Sequence, residues 1–556
     1  MPYEIGMYLR VTQRSNRDGT TVRYIQLAHN LWDPAARCAK ARVLYNFGRE
    51  DQVDRDALER LVRSVRRFLG PDAELAGTAE DSTDLRFLRS RPLGGAFVLD
   101  ALWSELGIRD ALLRLLEDRR FARPVERLLF ALVANRALAP SSKRALEAWV
   151  AEDVVIPELE HVAVQQLYRA MDFLLASEGA VQHEVFWSVA HLLNLEVDLI
   201  FFDTTSTYFE TEEEDDFRRF GYSRDQRDDR PQAVIGFAVT REGIPVRVWC
   251  WPGNTADVAV ISEVKRDLVG WKLGRVVTVL DRGFVSEDNL KTLQRAGGHY
   301  IVGERLQSGK HDIERVVSRA GTYTQVRDNL EVKEVVVGEG EARRRYIVVR
   351  NPQEAVRDRQ RREVTLAELD ARLKALRATT GAEHTKAHCA LRCHPAFGRY
   401  LKTNERGKLV IDRAKVKDDT RLDGKYVLRT SDDTLASADV ALGYKQLIEV
   451  EDAFRTLKHT LELRPVYHRK EERIRAHVLL CWLALLLVRV IELRTGRTWP
   501  TVRQALQQMH LGEFAGPAGR FRQRTETTPD QHAIFKALQL TEPRVVVELA
   551  PAPSGR

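Results

Sequence analysis

Cysteine and long apolar runs are both scarce in this chain. Five cysteines among 556 residues cannot supply the disulfide framework of a secreted scaffold, so we expect a reducing compartment, the cytoplasm. The first residues lack the basic-then-apolar layout of a secretory signal. The longest apolar run, 478–488, is well short of the ~20 residues that span a bilayer. It predicts a buried core helix and no membrane partner.

An excess of one charge sign is also nearly absent. Lys and Arg outnumber Asp and Glu by 87 to 80, which gives a net charge of +7. That surplus suits a polyanionic partner without requiring one. With 44% hydrophobic and 30% charged residues the composition is that of globular domains. The length predicts roughly three or four of them.

What is present is a series of short apolar segments between residues 196 and 304. Their period and the turn residues between them predict both strands and helices. The predicted elements are strands at 198–203, 233–240 and 244–251, a helix at 257–271, a strand at 276–281, a helix at 286–296 and a strand at 299–303. Three strands, helix, strand, helix, strand is the order of an RNase H-like α/β fold, a mixed sheet flanked by helices.

Acidic residues end two of these strands. Asp203 closes the run Val-Asp-Leu-Ile-Phe-Phe-Asp, and Asp281 closes Arg-Val-Val-Thr-Val-Leu-Asp. A third acidic residue, Glu451, lies in a helical segment far downstream. The end of a strand holds a side chain in a fixed position. Three carboxylates held in this way can bind two divalent ions such as Mg²⁺ on a phosphodiester. We therefore predict that Asp203, Asp281 and Glu451 converge on one catalytic, metal-binding site for nucleic-acid strand cleavage and transfer.

The predicted helix around Glu451 carries cations as well. At 3.6 residues per turn, Tyr444, Glu451 and Lys458 share one face, with Arg455 one turn beyond Glu451. This pattern predicts that Arg455 and Lys458 hold DNA phosphates beside the metal-binding carboxylate. The alternative is an exposed charged face stabilised by ion pairs one turn apart.

These motifs resemble those of the DDE insertion-sequence transposases, in the branch whose RNase H-like core is interrupted by a β-rich insertion before the final Glu. The family's helix signature is Tyr, two residues, Arg, three residues, Glu, six residues, Lys. This chain has Tyr444, Glu451 and Lys458 at that spacing and Leu447 at the Arg position, so Arg455 is the candidate for that phosphate contact. Further likenesses are Asp203-Thr-Thr-Ser-Thr, Gly253-Asn-Thr with Asp257 two residues later, Asp281-Arg-Gly-Phe, and the segment 467–477.

The resemblance implies a DNA transposase that binds the terminal inverted repeats of its element, cuts at the ends and joins the 3′-hydroxyls to target DNA. It implies two Mg²⁺ ions per site, with Mn²⁺ as a substitute, and double-stranded DNA rather than a small molecule as partner. It also implies a homodimer in the synaptic complex and a nucleoid-associated protein of a prokaryotic cell. The DNA contacts that it implies are Tyr444, Arg282, Arg455 and Lys458. Two alternatives are a non-catalytic DNA-binding regulator derived from a transposase and an RNase H-like nuclease without strand transfer.

The predicted organisation has six segments. The helical region contains seven arginines that suit either a solvated bundle or DNA-end binding: Arg109, Arg114, Arg119, Arg120, Arg123, Arg127 and Arg136. The insertion is expected to pack beside the active site as a separate body rather than to continue the core sheet. The segments are 1–90 (β-rich, with a charged helix at 53–68), 91–195 (helical, DNA-binding), 196–304 (core, first part), 305–435 (β-containing insertion), 436–495 (core, second part) and 496–556 (helical, weakly structured tail).

Three weaker signals remain open. His384, His388, Cys389, Cys393 and His394 could bind structural zinc or could be scattered along one helix. The acidic run 212–216 could recruit cations but more commonly marks a solvated loop. The polar segment 221–232 resembles the family segment ahead of the second core strand and could contact DNA near the scissile phosphate.

Overall fold

The computed structural model of the chain describes residues 8–15, 21–33, 38–53, 85–117, 125–195, 197–271, 276–304, 311–464, 466–516 and 519–551, with Leu58, Leu61 and Leu306. They divide into two compact units. The first unit comprises 1–192, 457–463 and 468–556, and the second comprises 193–456 and 464–467. The charged helix predicted at 53–68 lies largely outside the described residues.

The first unit begins with an antiparallel sheet. Its strands, in spatial order, are β1 (Tyr8–Ser15), β2 (Thr21–Asp33) and β3 (Cys38–Arg49). In the β1–β2 pair, Ser15 lies opposite Thr21 and Val11 opposite Ile25, so the two strands run antiparallel. The predicted N-terminal strands are confirmed.

Helices make up most of the first unit. The longest of its apolar helices, Glu471–Thr495, has every residue from 476 to 488 buried, as expected of a sequence that is apolar on all sides. By length and composition it could cross a membrane, but 83% of its most apolar window is enclosed by the protein itself. The remaining α-helices in the described part of this unit are Gly94–Glu105, Ile108–Leu116, Val125–Leu138, Ala145–Ala148, Val164–Ala176, Glu178–Leu192, Trp499–Gln507 and Pro529–Leu538.

Several arginines of the helical region have acidic partners inside this unit. Arg127 is 2% exposed, and its guanidinium lies 2.6 Å from both Glu126 and Asp100. Arg109 and Arg114 pair with Glu158 and Glu184, at 2.7 and 2.9 Å. These contacts favour a structural role for the three arginines. Arg119, Arg120 and Arg123 lie outside the described residues.

The C-terminal segment is not the weakly structured helical tail that the sequence predicted. It contains three strands that join β4 (Arg86–Pro92) in an antiparallel sheet of order β18-β17-β16-β4. The strands are β16 (His510–Gly516), β17 (Gly519–Arg524) and β18 (Val546–Pro551). Because the partner of β16 lies more than 400 residues upstream, no local pattern could reveal that pairing.

The second unit is built around one mixed sheet of nine strands. Its spatial order is β10-β11-β12-β15-β9-β8-β5-β6-β7. The predicted core strands correspond to β5 (Leu199–Tyr208), β6 (Gln232–Val239), β7 (Pro245–Pro252), β8 (Val277–Leu280) and β9 (His299–Glu304). The outer strands are β10 (Thr324–Arg327), β11 (Leu330–Val337), β12 (Arg344–Arg350) and β15 (Lys425–Thr430).

The centre of this sheet is parallel. Strand β8 pairs in parallel with β5 on one side and with β9 on the other. The helix Asp257–Gly270 leads from β7 into β8, and the helix Glu287–Gln294 connects β8 to β9. In the β5–β8 ladder, Leu199 lies opposite Val277 and Phe202 opposite Leu280. Residues 199–202 are buried, as in strands covered on both faces. The mixed sheet flanked by helices that the sequence predicted is confirmed.

The prediction that the strands of 305–435 stand apart from the core sheet is wrong. Strand β15 pairs antiparallel with β9, and β12 and β11 follow, so the sheet is continuous from β8 to the hairpin β11–β12. What lies outside the sheet is the helical part of this segment with a short hairpin, which shares its own apolar cluster around Leu373 and Phe397. Its elements are Pro352–Arg377, Gly381–Cys393, Arg413–Thr420, β13 (Leu401–Thr403) and β14 (Leu409–Ile411). The helix His311–Ser318 precedes β10.

The helix predicted across Tyr444, Glu451 and Lys458 is also different. It is broken into Ser437–Lys445 and Ile448–Arg455, and a π-helical turn, Thr456–Thr460, follows. At the break, the backbone N–H groups of Gln446 and Leu447 bond to carbonyls three residues back. Such tight turns have about three residues per turn, so they rotate later residues away from an α-helical register. The three residues therefore do not share the face of one helix.

Candidate active site

Asp203 is the first residue of β5 beyond its parallel ladder with β8. Its side chain is 18% exposed, and its Oδ1 accepts a hydrogen bond from the backbone N–H of Thr204 at 2.7 Å. Burial raises the pKa of Asp203 to about 7, and the neighbouring carboxylates of Asp281 and Asp257 push it in the same direction. The Arg224 guanidinium and the Thr204 N–H oppose that rise. Asp203 is thus a carboxylate whose charge a bound cation would stabilise.

Asp281 occupies the equivalent place on the neighbouring strand. It directly follows β8, and Leu280 lies opposite Phe202, so both carboxylates emerge at the same edge of the sheet. Adjacent strands lie ~4.8 Å apart, which makes the two residues close neighbours. The next residue, Arg282, is exposed and begins a single helical turn, Arg282–Phe284. The structure therefore brings together two of the three predicted catalytic residues.

Tyr444, predicted to contact DNA, contacts Asp281 in this structure. Its Oη donates a hydrogen bond to Asp281 Oδ1 at 3.1 Å. Burial, followed by the negative charge of Asp281, raises the pKa of Tyr444 well above its usual range, so this phenol remains a donor. Gly303 on β9 makes room for it, since a Cβ at Gly303 would lie 2.3 Å from Tyr444 Oη. Tyr444 thus orients one carboxylate oxygen of Asp281.

Arg224 and Asp257 complete the surroundings of Asp203. The Arg224 Nη2 lies 2.9 Å from Asp257 Oδ2 and 2.9 Å from Thr204 Oγ1, and its Nη1 lies 3.5 Å from Asp203 Oδ1. Thr204 Oγ1 donates to Asp257 Oδ1 at 2.5 Å. The sequence contained both residues in family-like segments, but without an individual role. Only the fold shows that they meet at Asp203.

Glu451 lies on the helix Ile448–Arg455, which packs on β5 and β6. Phe454 anchors this helix with an edge-on ring contact to Phe237, at 5.6 Å between centroids. Glu451 itself is exposed. Arg455 is also exposed and pairs with Asp452 at 2.9 Å, which is the ion pairing that the sequence left open as the alternative. Lys458 falls in the π-helical turn.

Comparison with known families adds independent evidence. The model of the transposase DDE domain matches residues 198–487, and that of the IS1634 family transposase N-terminal domain matches residues 9–76. The first match covers more than half of the chain and includes every predicted catalytic residue. The chain belongs to the DDE transposases.

Comparison with solved structures finds a piggyBac transposase, determined as a synaptic complex with hairpin DNA. The sequence identity is 10% and the TM-score 0.34, over 74% of this chain and 79% of that one. A search among curated proteins returns no match.

The DDE family generally uses divalent metal ions, and two of the three predicted ligands lie close together. Asp203 and Asp281 offer the hard oxygen donors that Mg²⁺ prefers, side by side and partly exposed. Burial raises the pKa of Asp203, and the charge of Asp281 adds to that rise, so a divalent ion would stabilise the charged form. Among the described residues, no three His, Cys, Asp or Glu side chains are grouped to hold a metal ion. The convergence of Glu451 on this site stays a prediction.

The weaker sequence signals do not form a second metal site. His384, His388, Cys389 and Cys393 lie along the helix Gly381–Cys393, and in the described part of the chain they form no metal-binding group. In the acidic run, Asp215 accepts hydrogen bonds from the backbone and side chain of Arg218, so it organises its own loop.

Proposed function

We propose that this DDE transposase cleaves DNA strands at the terminal inverted repeats of its insertion sequence and joins them to target DNA. The observation that carries the proposal is the pair Asp203 and Asp281, which emerge from neighbouring parallel strands at one sheet edge. A metal site mounted on two paired strands is held rigidly, as the in-line geometry of phosphodiester chemistry requires.

Each residue has a distinct task in this proposal. Asp203 and Asp281 would hold two Mg²⁺ ions, or Mn²⁺ in their place, with Glu451 as the third ligand. When bound, the ions activate the attacking oxygen and stabilise the leaving oxygen. Tyr444 orients Asp281 by donating to Oδ1, and so leaves Oδ2 for a ligand. Arg282, exposed beside Asp281, would bind a phosphate of the DNA backbone.

The partners follow from the same proposal. Double-stranded DNA of the element's ends and of the target would occupy the site, and Arg455 and Lys458 would add phosphate contacts. Two copies of the chain would hold two ends in the synaptic complex. The compartment that suits this work is the cytoplasm, at the nucleoid.

The test is a cleavage and joining assay with the full chain. The substrate is a duplex that ends in the inverted repeats found beside the gene, labelled at both 3′ ends, with Mg²⁺ or Mn²⁺. We expect nicked or excised ends and then joined products, all of which EDTA abolishes. Asp203→Asn and Asp281→Asn should abolish both products without loss of end binding, whereas Glu405→Gln, at an exposed turn position, should retain them.

The two alternatives predict other results. A DNA-binding regulator would bind the ends but would leave them intact with either metal. A nuclease without strand transfer would cut the ends but would never join a supplied 3′-hydroxyl to target DNA. Either result, obtained with protein that binds the ends, would contradict the proposal.

A further inference from the structure

Arg224 fixes a positive charge beside the candidate metal site. Its guanidinium bridges the carboxylate of Asp257 and the hydroxyl of Thr204, both at 2.9 Å from Nη2. The other terminal nitrogen lies 3.5 Å from Asp203 Oδ1. One side chain thus links a proposed metal ligand to a carboxylate on another element.

The backbone holds Arg224 in this position. Its N–H donates to Ser206 Oγ of β5 at 2.9 Å. The loop that carries it packs tightly on the next connection, since a Cβ at Gly221 would lie 2.0 Å from the carbonyl oxygen of Gly253. Two glycines therefore permit the close approach that places Arg224 over Asp203.

Asp257 is held as firmly. It is the first residue of the helix Asp257–Gly270, where a carboxylate interacts favourably with the helix dipole. Its two oxygens receive separate donors, Thr204 Oγ1 at 2.5 Å and Arg224 Nη2 at 2.9 Å. The Arg224–Asp257 pair is a charge-balanced unit that joins a loop to the first residue of a helix and adjoins Asp203.

The two members of this pair must act on a bound cation in opposite directions. A guanidinium beside Asp203 repels a divalent ion and competes for the same carboxylate, while Asp257 neutralises that guanidinium and keeps its Nη2 turned away from Asp203. Charges within about 5 Å of each other in a partly buried site interact strongly enough to shift affinity by at least tenfold.

We infer that Arg224 and Asp257 are positioning residues that set the metal affinity of Asp203 in the DNA-free transposase: Arg224 lowers it, and Asp257 limits that effect. The inference rests on the proposed metal-dependent function. Its consequence is that metal loading is weak until DNA phosphates offer Arg224 another partner, so that cleavage is confined to the DNA complex.

The experiment measures Mn²⁺ binding to the full DNA-free chain by the electron paramagnetic resonance signal of free Mn²⁺, with unfolding temperature recorded for every protein. We expect Arg224→Gln to tighten Mn²⁺ binding by about tenfold and Asp257→Asn to weaken it by a similar factor. The double variant should return to within about threefold of the starting protein, because neither charge remains. Arg224→Lys, which keeps the charge, should stay close to the starting affinity.

A matched control separates this role from general loop charge. Arg227 lies three residues later in the same loop but pairs with Asp229, so Arg227→Gln should leave Mn²⁺ binding unchanged. If Arg224→Gln and Asp257→Asn shift affinity in the same direction, or not at all, the inference is overturned, since a merely structural pair would behave in that way. If Asp203→Asn does not reduce Mn²⁺ binding in any of these backgrounds, the proposed metal site fails together with the inference.

Discussion

Two clusters of like charge, one in each unit, differ in their access to solvent. The acidic cluster of Asp203, Asp257 and Asp281 is partly exposed, with side-chain exposures of 18% and 31% for Asp203 and Asp257. In the basic cluster of the first unit, Arg136, Lys143 and His477 are buried, and Lys143 Nζ lies 2.9 Å from His477 Nδ1. The members of the basic cluster are Arg136, Lys143, His468 and His477.

Both clusters have strongly shifted pKa values. Burial raises the pKa of Asp203 to about 7, and burial together with the charge of Arg136 lowers the pKa of Lys143 to about 7. A shifted pKa therefore marks desolvation in either case and does not identify the functional site. The two clusters differ in what they can bind. The carboxylates of Asp203 and Asp257 are open to a cation from solvent, whereas the buried Lys143 amine can change its charge only by losing a proton.

The largest expected effect concerns the acidic cluster. Asp203→Asn and Asp281→Asn should each reduce cleavage by about a thousandfold or more, since several kcal/mol of charge stabilisation is lost. Glu451→Gln should reduce cleavage as much, but should retain most Mn²⁺ binding by the DNA-free chain, because Glu451 is not grouped with the other two. Equal loss of Mn²⁺ binding in all three variants would show that the site is already complete without DNA.

The basic cluster should appear in the pH dependence of stability. The pKa of Lys143 is lowered to about 7 in the fold, so the unfolded chain binds more protons between pH 7 and its ordinary value near 10.5. The free energy of unfolding should therefore rise with pH across this window. Below pH 7 the cost of burying the charged Lys143 amine should be present in full. Lys143→Met removes this pH dependence, so the stability of the variant relative to the parent should fall by about 3–4 kcal/mol from pH 7 to 10.

Urea denaturation at each pH measures this difference. Lys386→Met, which removes an exposed lysine, serves as the control and should parallel the parent at every pH. A Lys143→Met curve that also runs parallel to the parent would mean that Lys143 stays charged in the fold, and the two clusters would no longer differ as described.

A smaller effect tests the contact between Tyr444 and Asp281. Gly303→Ala would place a methyl group 2.3 Å from Tyr444 Oη and force the ring off Asp281. We expect a loss of about 1–2 kcal/mol of stability, the cost of overpacking, together with weaker Mn²⁺ binding. Gly270→Ala, where a Cβ meets no atom within 4 Å, is the matched control and should be neutral. Unchanged stability for Gly303→Ala would show that Tyr444 has another position available.

The smallest effect concerns Arg282, the exposed residue that directly follows Asp281. Arg282→Gln should weaken DNA binding about equally for all sequences and lower the slope of its salt dependence by about one unit, as expected for one lost phosphate contact. The same is expected of Lys458→Ala if its match to the family signature reflects a phosphate contact. Arg295→Gln, at another exposed position of the second unit, should leave the slope unchanged. A slope that Arg282→Gln does not alter would place Arg282 outside the DNA path.

Local pattern was a good guide to the elements of the core and a poor guide to their partners. The apolar runs that end at Asp203 and Asp281 lie on β5 and β8, because burial on both faces requires continuous apolar sequence. The same reasoning located β11 and β12 but not their place in the core sheet. Backbone pairing leaves little trace in side-chain sequence, so a strand can extend a distant sheet as readily as form a new one.

The Glu451 region shows the same limit for helices. The spacing of Tyr444, Glu451 and Lys458 was compatible with one helical face, yet a tight turn at Gln446–Leu447 breaks that helix. Val450 and Phe454, the apolar residues that flank Glu451, form the buried side of the second helix. The spacing of apolar residues indicates which side of a short helix is buried. It does not reveal a break between two helices, because the position of a break depends on the surfaces on which each helix packs.

By itself, the sequence determined the family, the order of the core elements and the two carboxylates at strand ends, since these depend on local composition and on motifs. Only the tertiary structure decided that Tyr444 orients Asp281 and that Arg224 and Asp257 meet at Asp203. These residues are far apart in the chain, and their contacts are set by strand register and by glycines that allow close backbone approach. Such contacts depend on distances that the fold creates, and no period or spacing along the chain encodes them.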